Sequence, residues 1–247
     1  MSTDYDPIAE QYQRAKQQPW RTHVESFTLM ELIGDPRGLS VIDLACGEGF
    51  YTRRLRQGGA QRAVGVDLSA RMIELAREQE QRQQLGIEYR VADARSLDHA
   101  DQADLVVAAY LLNYARNVAE LQAMCDSIAR CLRPGGRFVT VNTSPRLHFP
   151  SAPSYHKYGF ETRAATPWQE AAAIQWIFHL SGGAIEVENY HHNVASHETC
   201  LQRAGFQALR WVSPRISPEA VEREAEGYWQ DFLNHPPVIF LECLKAG

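Results

Sequence analysis

Residues 41–55 read VIDLACGEGFYTRRL. An apolar run surrounds one aspartate, Asp43, a loop follows with Gly47 and Gly49, and a helix begins. A buried strand that passes straight into glycines and then a helix is the first strand-to-helix turn of an open α/β sheet, where a nucleotide approaches the backbone. Glycines there remove Cβ atoms that would collide with such a ligand and permit unusual backbone angles. Two glycines alone also suit a plain sharp turn, so the neighbouring stretches must decide.

Outward from this turn, short β-branched runs alternate with helical patterns, the signature of a doubly wound, mostly parallel sheet. Strand candidates are Ser40–Ala45, Ala63–Asp67, Ile87–Ala92, Ala103–Ala109 and Gly136–Asn142. Ser69 caps a helix carrying Met72, Ile73, Leu75 and Ala76, and Asn117 with Glu120 resembles a capping box. The helix after Asn117 lays Val118, Leu121, Cys125, Ile128 and Leu132 in one stripe, and Arg133, Pro134, Gly135 and Gly136 read as its stop.

After Asn142 the rhythm breaks. TSPRLHFPSAPSYHKYGF reads as a loop, and IQWIFHL and AIEVENYHH flank Ser181, Gly182 and Gly183 as an antiparallel hairpin. Residues 143–195 are therefore expected to form an inserted lid, and residues 1–35 a largely helical cover, on one domain spanning 1–247. A short helix (HETCLQRAG), a strand (QALRWV), a helix opened by Ser217 and Pro218, and a strand (VIFLECLKA) close the chain. The last helix is expected to turn Val221, Ala225, Tyr228 and Phe232 inward.

With 247 residues, 45% of them hydrophobic, the chain can bury a substantial core. The net charge of −5 comes from mixed acids and bases with no basic run that would track a phosphate backbone, so no nucleic-acid partner is expected. No apolar run reaches membrane-spanning length and the first residues are too polar for a signal peptide, which points to a cytoplasmic protein without a membrane partner. The five cysteines show no zinc-like spacing, and His191 and His192 point to opposite faces of an extended segment, so no metal is expected.

Asp67 ends the second strand, where a carboxylate can accept both hydroxyls of a ribose, and Asp93 ends the third, where it can accept an adenine amine. Either could instead be a helix cap. A dinucleotide loop would carry a third glycine where Thr52 stands, which speaks against a pyrophosphate.

VIDLACGEGFYTRRL, VGVDLSARMIELARE, YRVADARSL, ADLVVAAYLLNYA and LRPGGRFVTVN resemble, in order, the successive motifs of class I S-adenosylmethionine-dependent methyltransferases over about residues 40 to 142. The resemblance implies a Rossmann-like, seven-stranded sheet with an antiparallel last strand, and S-adenosylmethionine as cofactor. It implies that Asp43, Ala45, Gly47 and Gly49 shape the methionine pocket, Asp67 holds the ribose, and Leu68 and Met72 lie against the adenine. Asp93 and Ala94 would read the adenine edge, with Ala109 and Tyr110 at the fourth strand tip. Ala45 stands where the family has a glycine. More narrowly, YDPIAEQYQRAK, WRTHVE and GGAIEVENYHH are similar to toxoflavin synthase-type N-methyltransferases, which methylate ring nitrogens of pyrimidotriazine precursors.

From the leader, Arg21 could hold the cofactor's carboxylate, and Tyr5 and Tyr12 could cover the sulfonium end. Methyl transfer from a sulfonium is mainly a task of alignment and water exclusion. If the acceptor nitrogen bears a proton, His191, His192, His156 or Tyr190 could remove it. Asn113, Tyr114, Tyr155, Tyr158 and Trp176 are candidate walls for a flat heterocycle, with plain lid packing as their other role. Competing readings are a nicotinamide-dependent oxidoreductase, a methyltransferase acting on O or C, and a noncatalytic cofactor-binding subunit.

Overall fold

Val41, Ile42, Asp43 and Leu44 are all buried because β1 (Ser40–Leu44) is covered on both faces, as a central parallel strand is. In the computed structural model, which describes residues 5–97 and 103–247, β1 is followed by β2 (Arg62–Asp67), β3 (Glu88–Val91), β4 (Ala103–Ala109) and β5 (Leu132–Thr143). A separate sheet of β6 (Phe160–Ala164), β7 (Ala173–Leu180) and β8 (Gly183–Tyr190) precedes β9 (Phe206–Val212) and β10 (Val238–Lys245). The main sheet has the order β3-β2-β1-β4-β5-β10-β9, and β10 runs antiparallel to both of its neighbours, β5 and β9. Strand order reverses between β1 and β4, which leaves a crevice at their carboxyl ends.

Ahead of β1 lie a 3₁₀ turn at Asp6–Ile8, α1 (Ala9–Ala15), a π-helical stretch at Arg21–Ser26 and α2 (Phe27–Ile33). The first four residues of the expected cover lie outside the described residues. Then come α3 (Phe50–Gln57), α4 (Ala70–Gln83), α5 (Val118–Cys131), α6 (Val194–Arg203), α7 (Pro218–Arg223) and α8 (Gln230–Asn234). Ser69 caps α4 by accepting from Met72 N–H at 3.1 Å, and Asn117 caps α5 by accepting from Glu120 N–H at 2.9 Å. Leu121, Met124, Cys125 and Ile128 of α5 are buried against the sheet, while Val118 stays exposed. Each such buried Leu or Ile stabilises the fold by about 1.5–3 kcal/mol.

Three expectations change. The Arg133–Gly136 stretch does not end a helix before a strand; α5 ends at Cys131, and these residues form a bulge inside β5, where Ala103 faces Leu132 but Leu105 already faces Arg137. The lid is a three-stranded sheet, because Phe160–Ala164 pairs with β7 although its FETRA sequence lacks strand alternation. The last helix is broken between Arg223 and Gln230, where Gly227 takes a φ of 81°, so Val221 is exposed while Ala220 and Phe232 are buried.

Candidate active site

The carboxyl ends of β1, β2 and β4 meet the leader around a cavity of about 140 Å³. Ala45 and Gly47 both adopt left-handed backbone angles, φ 55° and 56°, so the chain doubles back at the tip of β1. Gly47 N–H donates to Asp67 Oδ2 at 2.7 Å, pinning the loop to the tip of β2, and Ser69 N–H donates to Asp67 Oδ1 at 2.9 Å. A carboxylate has further lone pairs beyond these two bonds, and Asp67 lines the cavity with them to spare.

Gly49 serves another purpose than expected. Its φ is 83° and an added Cβ would lie 2.3 Å from Tyr89 Oη, so it makes room for a core tyrosine and does not line the cavity. Asp43 sits at the cavity floor, 1% exposed, accepting from Thr52 Oγ1 at 2.6 Å. Its Oδ1 has no partner, and burial pushes its pKa up to about 7 against the pull of the Thr52 bond.

Leu68 is 60% exposed and faces the same space as buried Met72, an apolar pair open to a flat ring. Asp93, Ala94 and Ala109 line the cavity as expected. The Asp93 carboxylate is gripped by Arg95 through Nε and Nη2, at 3.0 and 2.6 Å, which holds its pKa below the usual carboxylate range. Tyr5, Tyr12, Tyr110 and Tyr114 complete the upper wall, with Tyr5 and Tyr114 hydroxyls bonded to each other.

A buried network that the sequence does not announce ties this wall together. Glu25, fully buried on the π-helical stretch, accepts from Tyr51 Oη at 2.7 Å, Tyr110 Oη at 2.6 Å and Arg21 Nη1 at 2.7 Å, with Lys16 Nζ at 3.5 Å. Burial opposes the Glu25 charge, but Lys16, Arg21 and the two tyrosines overcome it and keep its pKa low. Tyr110 reaches Glu25 from a left-handed backbone, φ 68°, which a bulky side chain adopts at a cost of about 1–2 kcal/mol. Lys16, absent from the expected residues, lines the cavity.

Arg21 therefore does not line this cavity; its guanidinium is 2% exposed and committed to Glu25. It faces a second, small crevice with Tyr12, Tyr110, Tyr114, Trp176 and Asn189. The three base candidates of the lid end lie outside both spaces. His192 places Nδ1 at 2.6 Å from Glu170 Oε1 and Nε2 at 2.7 Å from the Ala115 carbonyl, so both ring nitrogens are engaged by the protein itself. His191 packs 4.3 Å from Trp168, and burial lowers its pKa. Tyr190 bonds Glu188, and burial with that carboxylate pushes its pKa up to about 12. Tyr155 is core, stacked 5.1 Å from Phe160 with its hydroxyl on the His235 carbonyl. His156 is exposed beside His179, and these two with Glu161 bring one ligand atom each within 4.8 Å of one another, away from the cavity lining. Asn113 is buried with both amide atoms unpartnered, and it lines neither space.

The Methyltransferase domain family matches residues 41–136. The chain is 30% identical over 187 residues to the ubiquinone/menaquinone biosynthesis C-methyltransferase UbiE of Desulfotalea psychrophila, covering 74% of this chain and 71% of that protein. It is 27% identical to the demethylmenaquinone methyltransferase of Lactococcus lactis over 80% of this chain and 85% of the other. In fold it is similar to an S-adenosylmethionine-dependent methyltransferase of Mesorhizobium loti, with a TM-score of 0.65 at 22% identity over 94% of this chain and all of that one. The chain belongs to the class I S-adenosylmethionine-dependent methyltransferases. It is an enzyme of that class, its cofactor is S-adenosylmethionine, and the nicotinamide reading falls away.

The site fits this cofactor on its own chemistry. The orphaned, buried Asp43 Oδ1 calls for a donor or cation, as an amino acid's ammonium supplies. The exposed Leu68 calls for an apolar face, as an adenine supplies.

Proposed function

We propose that this methyltransferase acts on a flat aromatic small molecule, with a ring nitrogen of a heterocycle such as a pyrimidotriazine as the acceptor. The observation that carries the reading is the aromatic crevice behind the cofactor cavity: Tyr12, Tyr110 and Tyr114 line both spaces, so a ring seated among them touches the cofactor's reactive end and the lid together. When bound, S-adenosylmethionine supplies an electrophilic methyl group on a sulfonium. The chain's part is to bind and align. Asp67 and Asp93 hold the nucleoside, Asp43 faces the amino acid, and the tyrosine wall excludes water and favours a cation through its ring faces.

In this reading residues 1–35 act as the cover and residues 143–195 as the lid of a single domain. No base is assigned to His191, His192 or Tyr190, none of which lines the cavity or the crevice. The cell site is the cytoplasm, and no nucleic acid takes part; among the described residues no helix is long and apolar enough to cross a membrane. A second reading, methyl transfer to carbon or oxygen of a hydroquinone-type ring, is favoured by the likeness to quinone methyltransferases.

The test is to incubate the purified enzyme with S-adenosylmethionine and a panel of nitrogen heterocycles and hydroquinones, following S-adenosylhomocysteine by mass spectrometry. Turnover with the heterocycles supports the first reading and turnover with hydroquinones alone the second. Turnover with neither, alongside methylation of an aliphatic metabolite, overturns both.

A further inference from the structure

The crevice behind the tyrosine wall encloses only about 10 Å³, about the space one water-sized group needs and far less than a ring. A ring held by Tyr12, Tyr110 and Tyr114 can therefore send one substituent atom into it. The chemistry of the walls says which kind. Arg21 and Trp176 are each 2% exposed, both line the crevice, and Arg21 Nε and Trp176 Nε1 have no hydrogen-bond partner. Both atoms are donors only. A buried donor without a partner costs about 1–3 kcal/mol, so two such residues lining one small space favour an acceptor there.

Charge points the same way. Lys16 and Arg21 share the single carboxylate of Glu25, whose oxygens are already engaged by Tyr51 and Tyr110. Lys16 lies on the cofactor side, where Asp43 also is, whereas no residue lining the crevice is acidic. The guanidinium also lies 4.8 Å from the Phe178 ring and 4.6 Å from Trp20, so it is fixed in place by its neighbours. The Asn189 side-chain amide on the same wall accepts from Thr143 Oγ1 and donates to the Glu188 carbonyl, both at 3.0 Å.

We propose that this crevice is an oxyanion subsite: it takes one anionic oxygen carried on the acceptor ring, a phenolate or the enolate form of a ring carbonyl, held by Arg21 Nε–H and Trp176 Nε1–H. The inference rests on the aromatic-acceptor reading above and narrows it to acceptors that ionise at a ring oxygen. An oxygen held by a guanidinium is a weakened nucleophile. It therefore serves to anchor the ring and enrich it with electrons, and the atom that takes the methyl is a different one.

The probe is 4-nitrophenol, whose anion absorbs visible light, added to the enzyme saturated with S-adenosylhomocysteine one pH unit below the phenol's own pKa. The neutral isostere 4-nitroanisole is titrated in parallel by calorimetry. The expected result is a rise in the yellow phenolate on binding, with the anion bound about tenfold more tightly than the anisole, as a charged hydrogen bond supplies. Arg21→Gln should abolish the colour change and the preference for the phenolate over 4-nitroanisole, a ratio taken within the one variant so that any loosening of the Glu25 network weakens both probes alike. Should that variant not fold, Trp176→Phe, which keeps the ring and deletes the donor, should weaken the phenolate preference severalfold. Binding of 4-nitrophenol as the neutral phenol, or a colour change that survives Arg21→Gln, overturns the oxyanion subsite and leaves the aromatic site standing. Failure of both probes to bind counts against both.

Discussion

At the scale of the residue, Asp43 carries the most chemistry. Its pKa in the folded protein lies near 7, above its unfolded value, so the folded state holds a proton there and loses stability as pH rises from the ordinary carboxylate range to about 7. A ligand ammonium against Oδ1 favours the ionised form, and binding below pH 7 then releases that proton. S-adenosylhomocysteine affinity should rise by up to about tenfold per pH unit from about pH 5.5 to 7 and then level off, a slope that Asp43→Asn flattens. Calorimetry across that range checks it, and an equal slope in the variant refutes the assignment. Asp43, Gly47 and Asp67 were legible in the sequence because strand-tip chemistry depends on neighbours a few positions away. Arg21 was misplaced, and Lys16 and Glu25 passed unseen, because the partners that decide them are distant: Tyr110 is 85 positions from Glu25. The same blindness gave His192 a catalytic role, since Glu170 and the Ala115 carbonyl are invisible from its own stretch.

At the scale of the element, the Glu25 network joins the π-helical stretch to α3 through Tyr51 and to the tip of β4 through Tyr110. Removing the carboxylate leaves buried Arg21 and half-buried Lys16 without the counter-charge they share. Glu25→Gln should therefore cost about 3 kcal/mol of stability, more than a surface ion pair would, and should loosen the cover over the cavity. Urea unfolding measures the first and hydrogen exchange of α1 the second; a loss below about 0.5 kcal/mol would show that the network is not what holds the cover. The parallel strands and their caps were legible from short-range pattern. The β5 bulge, strand β6 and the break between α7 and α8 were not, because pairing partners rather than local propensity set them: FETRA becomes a strand only beside β7.

At the scale of the whole molecule, one reversal of strand order between β1 and β4 creates the cavity, the leader roofs it, and the lid sheet closes an aromatic wall behind it. The reversal was foreshadowed by alternating strands and helices, whereas the way the lid meets the leader depends on contacts such as Gln18 Nε2 to the Gly159 carbonyl at 2.7 Å, which no spacing reveals. The central claim is that this cavity is built for the nucleoside and amino acid of S-adenosylmethionine. Titration calorimetry of S-adenosylhomocysteine into the wild-type protein and into Asp67→Ala tests it most directly. The account predicts saturable one-to-one binding to the first, and at least about tenfold weaker binding to the second with its unfolding midpoint nearly unchanged, because Asp67 serves the ligand at a strand tip. Equal affinities, or no binding to the wild-type protein, would contradict it.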